Sequence, residues 1–402
     1  MPAVNYPSME GAECPWPVFE HLREEAPVYQ IPDRPNLYIV SRYDDVRRIF
    51  GDPVLFSSFN SRDGLLGFDI LLSTSSSGGH AMIQTDPPEH KAKRQLGFAP
   101  LKPGRLKAYQ PMIERICDEL IDAFIDDGRC DFVPAFAQQL PAILTLRLMG
   151  VPESDIGWVK LWAKFEASGA SWMPQEFLDE QRRNGARMNQ YLTARLRERF
   201  EAPQDDVMSD VIRAQIERDG TFDLEEVRAQ VAVLLGGGVV TTAHFLASQL
   251  LLFLENPDQM ARVRADLSLL PRAIEEGLRL EPPALWQPRR VTADTELAGV
   301  PIPEGSYVLV MQGSANRDAT RFACPARFDV GRENVQEHMT FGHGIHFCLG
   351  APLARMELRI AFERLFARLG DIRLGPDNDF THLPSPSFRG LNKLDIEFDA
   401  AA

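Results

Sequence analysis

The residues with the most evident chemistry lie in one stretch, FGHGIHFCLG, from Phe341 to Gly350. It sets a lone cysteine, Cys348, among Gly342, Gly344 and Gly350 and two histidines, directly ahead of the helical pattern APLARMELRIAFERLFARLG. Glycines permit positive φ and let backbone crowd round a sulfur atom. A sulfur at a helix start meets free N–H groups and the positive end of the helix dipole, which favour a thiolate. Such an anion, partly desolvated and supplied with hydrogen bonds, is a good axial ligand for iron. The plainer reading of an isolated cysteine is a buried structural residue. The remaining cysteines, Cys14, Cys117, Cys130 and Cys324, are scattered without CxxC pairs. That sparse, odd set points to a reducing compartment rather than a disulfide framework. With no second cysteine near Cys348, the spacing does not suit zinc.

A second stretch is unusual because of what it gives up. Asp223 and Glu226 read as a capping box and Asn256-Pro257 as a stop, so one helix is expected over the 32 residues Leu224–Glu255. At 1.5 Å per residue it would be about 48 Å long. Its middle, QVAVLLGGGVVTTAHFLASQLLLFL, is apolar on every face, which fits a central helix buried on all sides better than a membrane span, since Gln230, His244 and Gln249 interrupt it. Gly236, Gly237 and Gly238 together forgo roughly 2–3 kcal/mol of helix propensity relative to alanine. Close approach of a flat, bulky group to the backbone would explain them, as would tight packing of another helix.

The cysteine stretch resembles the haem-ligand signature of the cytochrome P450 family, F-G-x-G-x-H-x-C-x-G, and fits all six fixed positions. A chance match over this length is on the order of 10⁻⁵. Other landmarks of that family follow in order: E-x-x-R as Glu276 and Arg279, PARF with Arg327, DPPEHKAKR with His90 and Arg94, and QPRRVTAD with Arg289. The resemblance spans nearly the whole chain. It implies a mainly α fold with a minor β part, in one large domain over residues 1–402. The β-rich parts fall near 30–60, 285–315 and the C-terminus, and the helical core covers about 90–280 and 350–370. It implies haem b, with Cys348 as axial thiolate and metal ligand. His90, Arg94, Arg289 and His346 would hold the two propionates, and Phe341, Gly350, Gly237 and Gly238 would lie against the ring. Glu276, Arg279 and Arg327 would form a buried structural network.

Aligned to the family's (A/G)-G-x-(D/E)-T-(T/S), the central helix gives Gly237, Gly238, Val239, Val240, Thr241 and Thr242. Thr241, flanked by Val240 and Thr242, is then the hydroxyl that helps hold dioxygen and its protons. The usual carboxylate is replaced by Val240, and no Asp or Glu occurs between Glu226 and Glu255. Valine cannot relay a proton. His244 shares roughly the face of Thr241 and offers a relay, although packing is the plainer use of it.

The formal charge of −14 and pI near 5.1 disfavour nucleic acid or an anionic membrane as partner. The N-terminus lacks a basic start and an apolar run, so a cytoplasmic protein is expected. The resemblance implies a monooxygenase acting on a small or medium apolar substrate with dioxygen, by hydroxylation or oxidative dealkylation. Without a dinucleotide-binding fingerprint, electrons would come from NAD(P)H through a reductase and a ferredoxin docking near Lys91, Lys93 and Arg94. By alignment to the family, substrate contacts are Val233, Gly236, Gly237, Val240, Leu285, Trp286, Ser387 and Phe388, under a lid formed by residues 61–83. The missing acid keeps open a peroxide-using enzyme or a catalyst of coupling or rearrangement, and a non-catalytic haem protein that binds a ligand or senses a gas is the third reading.

Overall fold

The computed structural model of the chain describes residues 13–58, 81–155 and 175–399, with 4, 6–8, 11, 157 and 158. Most of the expected lid, residues 61–80, lies outside the described residues. The helices are α1 (Trp16–Glu25), α2 (Tyr43–Gly51), α3 (Glu89–Phe98), α4 (Pro103–Asp122), α5 (Gln139–Leu148), α6 (Gln175–Glu201), α7 (Val207–Asp219), α8 (Leu224–Glu255), α9 (Pro257–Ala265), α10 (Leu270–Leu280), α11 (Gln312–Ala315) and α12 (Ala351–Arg368). The strands are β1 (Val28–Gln30), β2 (Leu37–Val40), β3 (Phe56–Ser57), β4 (Arg129–Asp131), β5 (Gln287–Val291), β6 (Thr295–Leu297), β7 (Val300–Ile302), β8 (Tyr307–Val310), β9 (Arg373–Leu374) and β10 (Asp395–Glu397).

The main sheet runs β1-β2-β8-β5-β3, with β2 parallel to β8 and the other pairs antiparallel. Every residue of β2 and β8 is buried, because the sheet is covered on both faces. Tyr38, Val40, Val308 and Val310 point into one apolar cluster, and Leu37, Ile39, Tyr307 and Leu309 into another. The period of two along each strand therefore separates two cores rather than core from solvent. The larger, helical core is built round α8, which packs against α5, α6 and α10, while α12 lies along α4.

α8 passes the length and hydropathy test for a membrane span, yet 72% of its most apolar window is buried inside the protein. It begins where the sequence places it: the Asp223 carboxylate accepts from the N–H groups of Glu225 (3.0 Å) and Glu226 (3.2 Å). The expected reciprocal bond is made by another residue. Gln215 of α7 accepts from the Asp223 N–H at 2.8 Å, while Glu226 accepts from Gln215 Nε2 at 2.6 Å.

Glu276 and Arg279 on α10 are fully buried and pair at 2.8 Å. The third member of this network is Arg332, whose Nε lies 3.0 Å from both carboxylate oxygens of Glu276. This corrects the assignment of Arg327. That side chain is exposed, and the residue contributes only its carbonyl, which accepts from Arg279 and Arg332 at 3.2 Å each. The chain turns through Asp329, whose N–H also donates to Glu276 at 3.1 Å, and this carries Arg332, five residues beyond Arg327, back to the carboxylate. Two guanidinium groups and an N–H thus satisfy one buried acid.

Where α12 meets α4, Glu357 is buried with its Oε1 unpartnered among the described residues. Burial pushes its carboxyl up to about 8.

Glu276→Gln should lower the free energy of unfolding by about 3–5 kcal/mol in urea titrations, because it leaves the buried Arg279 and Arg332 uncompensated; Arg332→Ala should lower it by less, because the Glu276–Arg279 pair remains. Arg327→Ala should change it by less than about 0.5 kcal/mol. The raised carboxyl of Glu357 means that the folded protein holds a proton the unfolded chain has released, so stability falls as pH rises from about 4.5 to about 8. Glu357→Gln should remove that part of the slope, and an unchanged slope would contradict the assignment.

Candidate functional site

The loop before α12 is closed by its own backbone. The Cys348 N–H donates to Phe341 O at 2.8 Å, and that of Phe347 to Gly344 O at 3.1 Å. Gly342 and Gly344 sit at φ +73° and +72°, and a side chain on Gly344 would collide with the carbonyl of Phe50 on α2. Below the loop, Glu275 of α10 accepts from His338 Nε2 at 3.0 Å and from Arg355 at 2.7 Å. Burial alone would raise the Glu275 carboxyl; the hydrogen bonds from Arg355 and His338 outweigh it and hold it near 2. Arg355 in turn stacks on Phe341, 4.5 Å from the ring centre.

Cys348 is accessible, but burial raises its thiol pKa. Accessible surface on a group surrounded by protein places it on the wall of an internal cavity. The N–H groups of Gly350 and Ala351, with Arg94 and Arg355, pull the other way and favour an anionic sulfur. The expectation that the helix start alone would make a thiolate is thus too simple: burial dominates until a cation balances the charge.

α8 presents a second cavity wall. Between residues 229 and 250 its accessible positions are Leu234, Gly237, Gly238, Thr241 and His244, one stripe at helical spacing on a helix otherwise buried all round. The glycines divide their work. Nothing lies within 4 Å of the point where a Cβ of Gly237 would be, whereas on Gly238 it would sit 2.9 Å from Thr145 Oγ1 of α5. Both explanations of the triple glycine therefore apply, to different residues. Thr241 Oγ1 donates to Gly237 O at 2.9 Å. Thr242, Val233, Gly236 and Val240 are buried.

The four expected cationic residues come together. The rings of His90 and His346 are 4.3 Å apart, and the Nε2 atoms of both are buried without a partner among the described residues. Burial, then the charges of Arg289, His90 and Arg94, push His346 down to about 3. Burial brings Arg289 down to about 10, and its Nη1 donates to Pro288 O at 2.7 Å. Arg94 donates to Phe347 O at 2.7 Å, which ties α3 to the cysteine loop. Among the described residues the one acid acting on His90 and Arg289 is Asp86, whose carboxylate is taken by the Ser57 hydroxyl and the Ser58 N–H, so this cluster of donors still suits an anionic partner with several acceptor oxygens.

Other expected residues fall elsewhere. Leu285 (0% accessible) and Trp286 (1%) belong to the apolar core shared with Phe19 and Tyr6, and the Trp286 indole donates to Pro386 O at 2.8 Å. They have no surface to offer a ligand, so they are not contacts in this structure. Ser387 is buried, with its carbonyl taken by the Leu285 N–H at 2.8 Å, and Phe388 keeps only 8% of its surface. Lys91 is exposed, but Lys93 is half-buried near Glu226 and Glu89, and Arg94 turns inward. Arg332, Arg355 and Glu275 were missed, since their partners lie far along the chain.

The comparisons agree with this geometry. The cytochrome P450 family model matches residues 157–370. The chain is 33% identical over 393 residues to the cytochrome P450 monooxygenase PikC of Streptomyces venezuelae, covering 96% of this chain and 92% of that protein. It is 33% identical over 393 residues to 6-deoxyerythronolide B hydroxylase of Saccharopolyspora erythraea, covering 95% of each. Among solved structures, CYP109E1 from Bacillus megaterium in complex with testosterone superposes with a TM-score of 0.86 at 30% identity, over 97% of this chain and 99% of that one. The chain belongs to the cytochrome P450 family, whose members are haem proteins, and it is a monooxygenase of the bacterial kind.

In the haem-free protein, Gly237→Ala should raise the thermal stability by about 0.5–1 kcal/mol, since it adds helix propensity where no described residue would clash. Gly238→Ala should lower it through Thr145. Equal effects at the two positions would contradict the division.

Proposed function

We propose that Cys348 would hold the iron of a haem b through its thiolate sulfur, with Gly237 and Thr241 among the residues lining the site. The observation that carries this is the pair of buried Nε2 atoms on His90 and His346, unpartnered among the described residues, beside Arg289 and Arg94. These donors fit two propionates, the accessible sulfur fits the iron, and the bare backbone at Gly237 fits the flat ring. When bound, such a haem supplies the activation of dioxygen and the insertion of one of its atoms into a C–H bond.

In this reading the residues of the chain orient, exclude water and manage protons. Thr241 presents its hydroxyl at the cavity wall, held by Gly237 O. Insertion of one oxygen atom also makes one water, which takes two electrons and two protons. Val240 supplies neither a proton nor a site for water, so delivery there is slow or follows another route. Relatives that hydroxylate 6-deoxyerythronolide B or bind testosterone support an apolar substrate of small or medium size. Electrons would come from NAD(P)H through a reductase and a ferredoxin in the cytoplasm. Docking would use the exposed Lys91, Lys102 and Lys107 rather than Lys93 or Arg94.

A second reading follows from Val240 itself: a peroxide-using or coupling enzyme, in which the proton relay is not needed. Turnover with NAD(P)H, reductase and ferredoxin should give product with one oxygen added. Product from peroxide alone would favour the second reading. No product from either, despite a ligand-induced change in haem absorption, would favour a non-catalytic ligand-binding haem protein. Val240→Asp should raise the fraction of electrons that appears in product, and unchanged coupling would rule out the missing relay as the limit.

A further inference from the structure

His244 is the polar side chain on the accessible stripe of α8 that no described residue uses. Thr241, the other polar member, already donates to Gly237 O. His244 Nδ1 is buried without a partner among the described residues, yet the residue keeps accessible surface, as Cys348 does. Its ring is fixed in place by Gly390, where any side chain would collide with Cβ, Cγ and Cδ2 of the histidine. Gly390 is itself held, since its carbonyl accepts from the Leu383 N–H at 2.8 Å and the neighbouring Arg389 N–H donates to Pro283 O at 2.9 Å.

A buried polar ring kept without a protein partner loses stability unless something outside the fold completes it. Burial pushes His244 down to about 4, so near neutral pH the ring is uncharged and carries one donor and one acceptor. That combination matches a hydroxyl or ketone oxygen. It suits a carboxylate or an ammonium poorly, because the helix has no charged side chain between Arg228 and Glu255.

We propose that His244 is a specificity-determining anchor of the substrate pocket, hydrogen-bonding a neutral oxygen (a ketone or hydroxyl) on an otherwise apolar substrate. This rests on the monooxygenase reading and adds the substrate class. Packing alone explains Gly390 but leaves Nδ1 unused; the anchor explains both.

The test is calorimetric binding of matched probes to the holoenzyme: adamantanone with adamantane, and tetralone with tetralin. The wild type should bind the ketone of each pair that fits about tenfold tighter than its hydrocarbon, the worth of one hydrogen bond. His244→Phe keeps a ring over Gly390 and should erase that preference while leaving hydrocarbon affinity within about twofold. His244→Gln, which keeps a donor and an acceptor, should restore part of it, and His244→Leu serves if the phenylalanine variant does not fold. Equal binding of ketone and hydrocarbon by the wild type, a preference that survives in His244→Phe, or binding of neither probe type overturns the proposal. Haem content of the same preparation is measured separately, so that a failure of the haem reading is seen apart from a failure of the anchor.

Discussion

A sulfur atom that is surrounded by protein and still faces a cavity is the constraint on which the other features depend. Burial favours the neutral thiol, so an anionic sulfur at position 348 needs N–H donors on its own side and a positive charge on the other. The loop provides the first through the N–H groups of Gly350 and Ala351. It can do so only because Gly342 and Gly344 take a left-handed backbone, the latter against the Phe50 carbonyl. The proposed iron would provide the second.

Holding that loop still falls to groups far from it in sequence. Thr340 Oγ1 donates to Leu278 O at 2.6 Å, and Asn316 to Thr340 Oγ1 at 2.8 Å. Glu275 joins His338 to Arg355, one residue on each side of the cysteine loop. Its neighbour Glu276 fixes Arg279 and Arg332. Adjacent acids on α10 therefore brace the cysteine loop and the segment leading to it. On the far side, α8 gives up helix propensity at its glycines so that one face can stay bare. The cost is offset by burial of nearly every other face in the largest apolar cluster.

Much of this was legible because it is local. The Cys348 loop, the α8 bounds and the Glu276–Arg279 pair depend on spacing within one turn or one element, and spacing can be read directly. Asp223 was legible as a cap for the same reason. Its partner Gln215 was not, since it lies on another helix whose approach is set by tertiary packing. Arg327 and Arg332 sit in one irregular stretch, and only the path of the turn decides which guanidinium reaches Glu276. Leu285 and Trp286 were misread because an apolar side chain near a site looks the same in sequence whether it faces a ligand or Phe19. Lys93 was read as surface charge for want of the nearby Glu226, and Arg94, expected at the propionates, was also counted on the docking surface for want of the Phe347 carbonyl.

The most direct test of the central claim is the absorbance of the purified, reduced protein under carbon monoxide, compared with that of Cys348→Ser. The account predicts the red-shifted band of thiolate ligation in the wild type and its loss in the variant. A wild type without that band, or a variant that keeps it, would contradict the account.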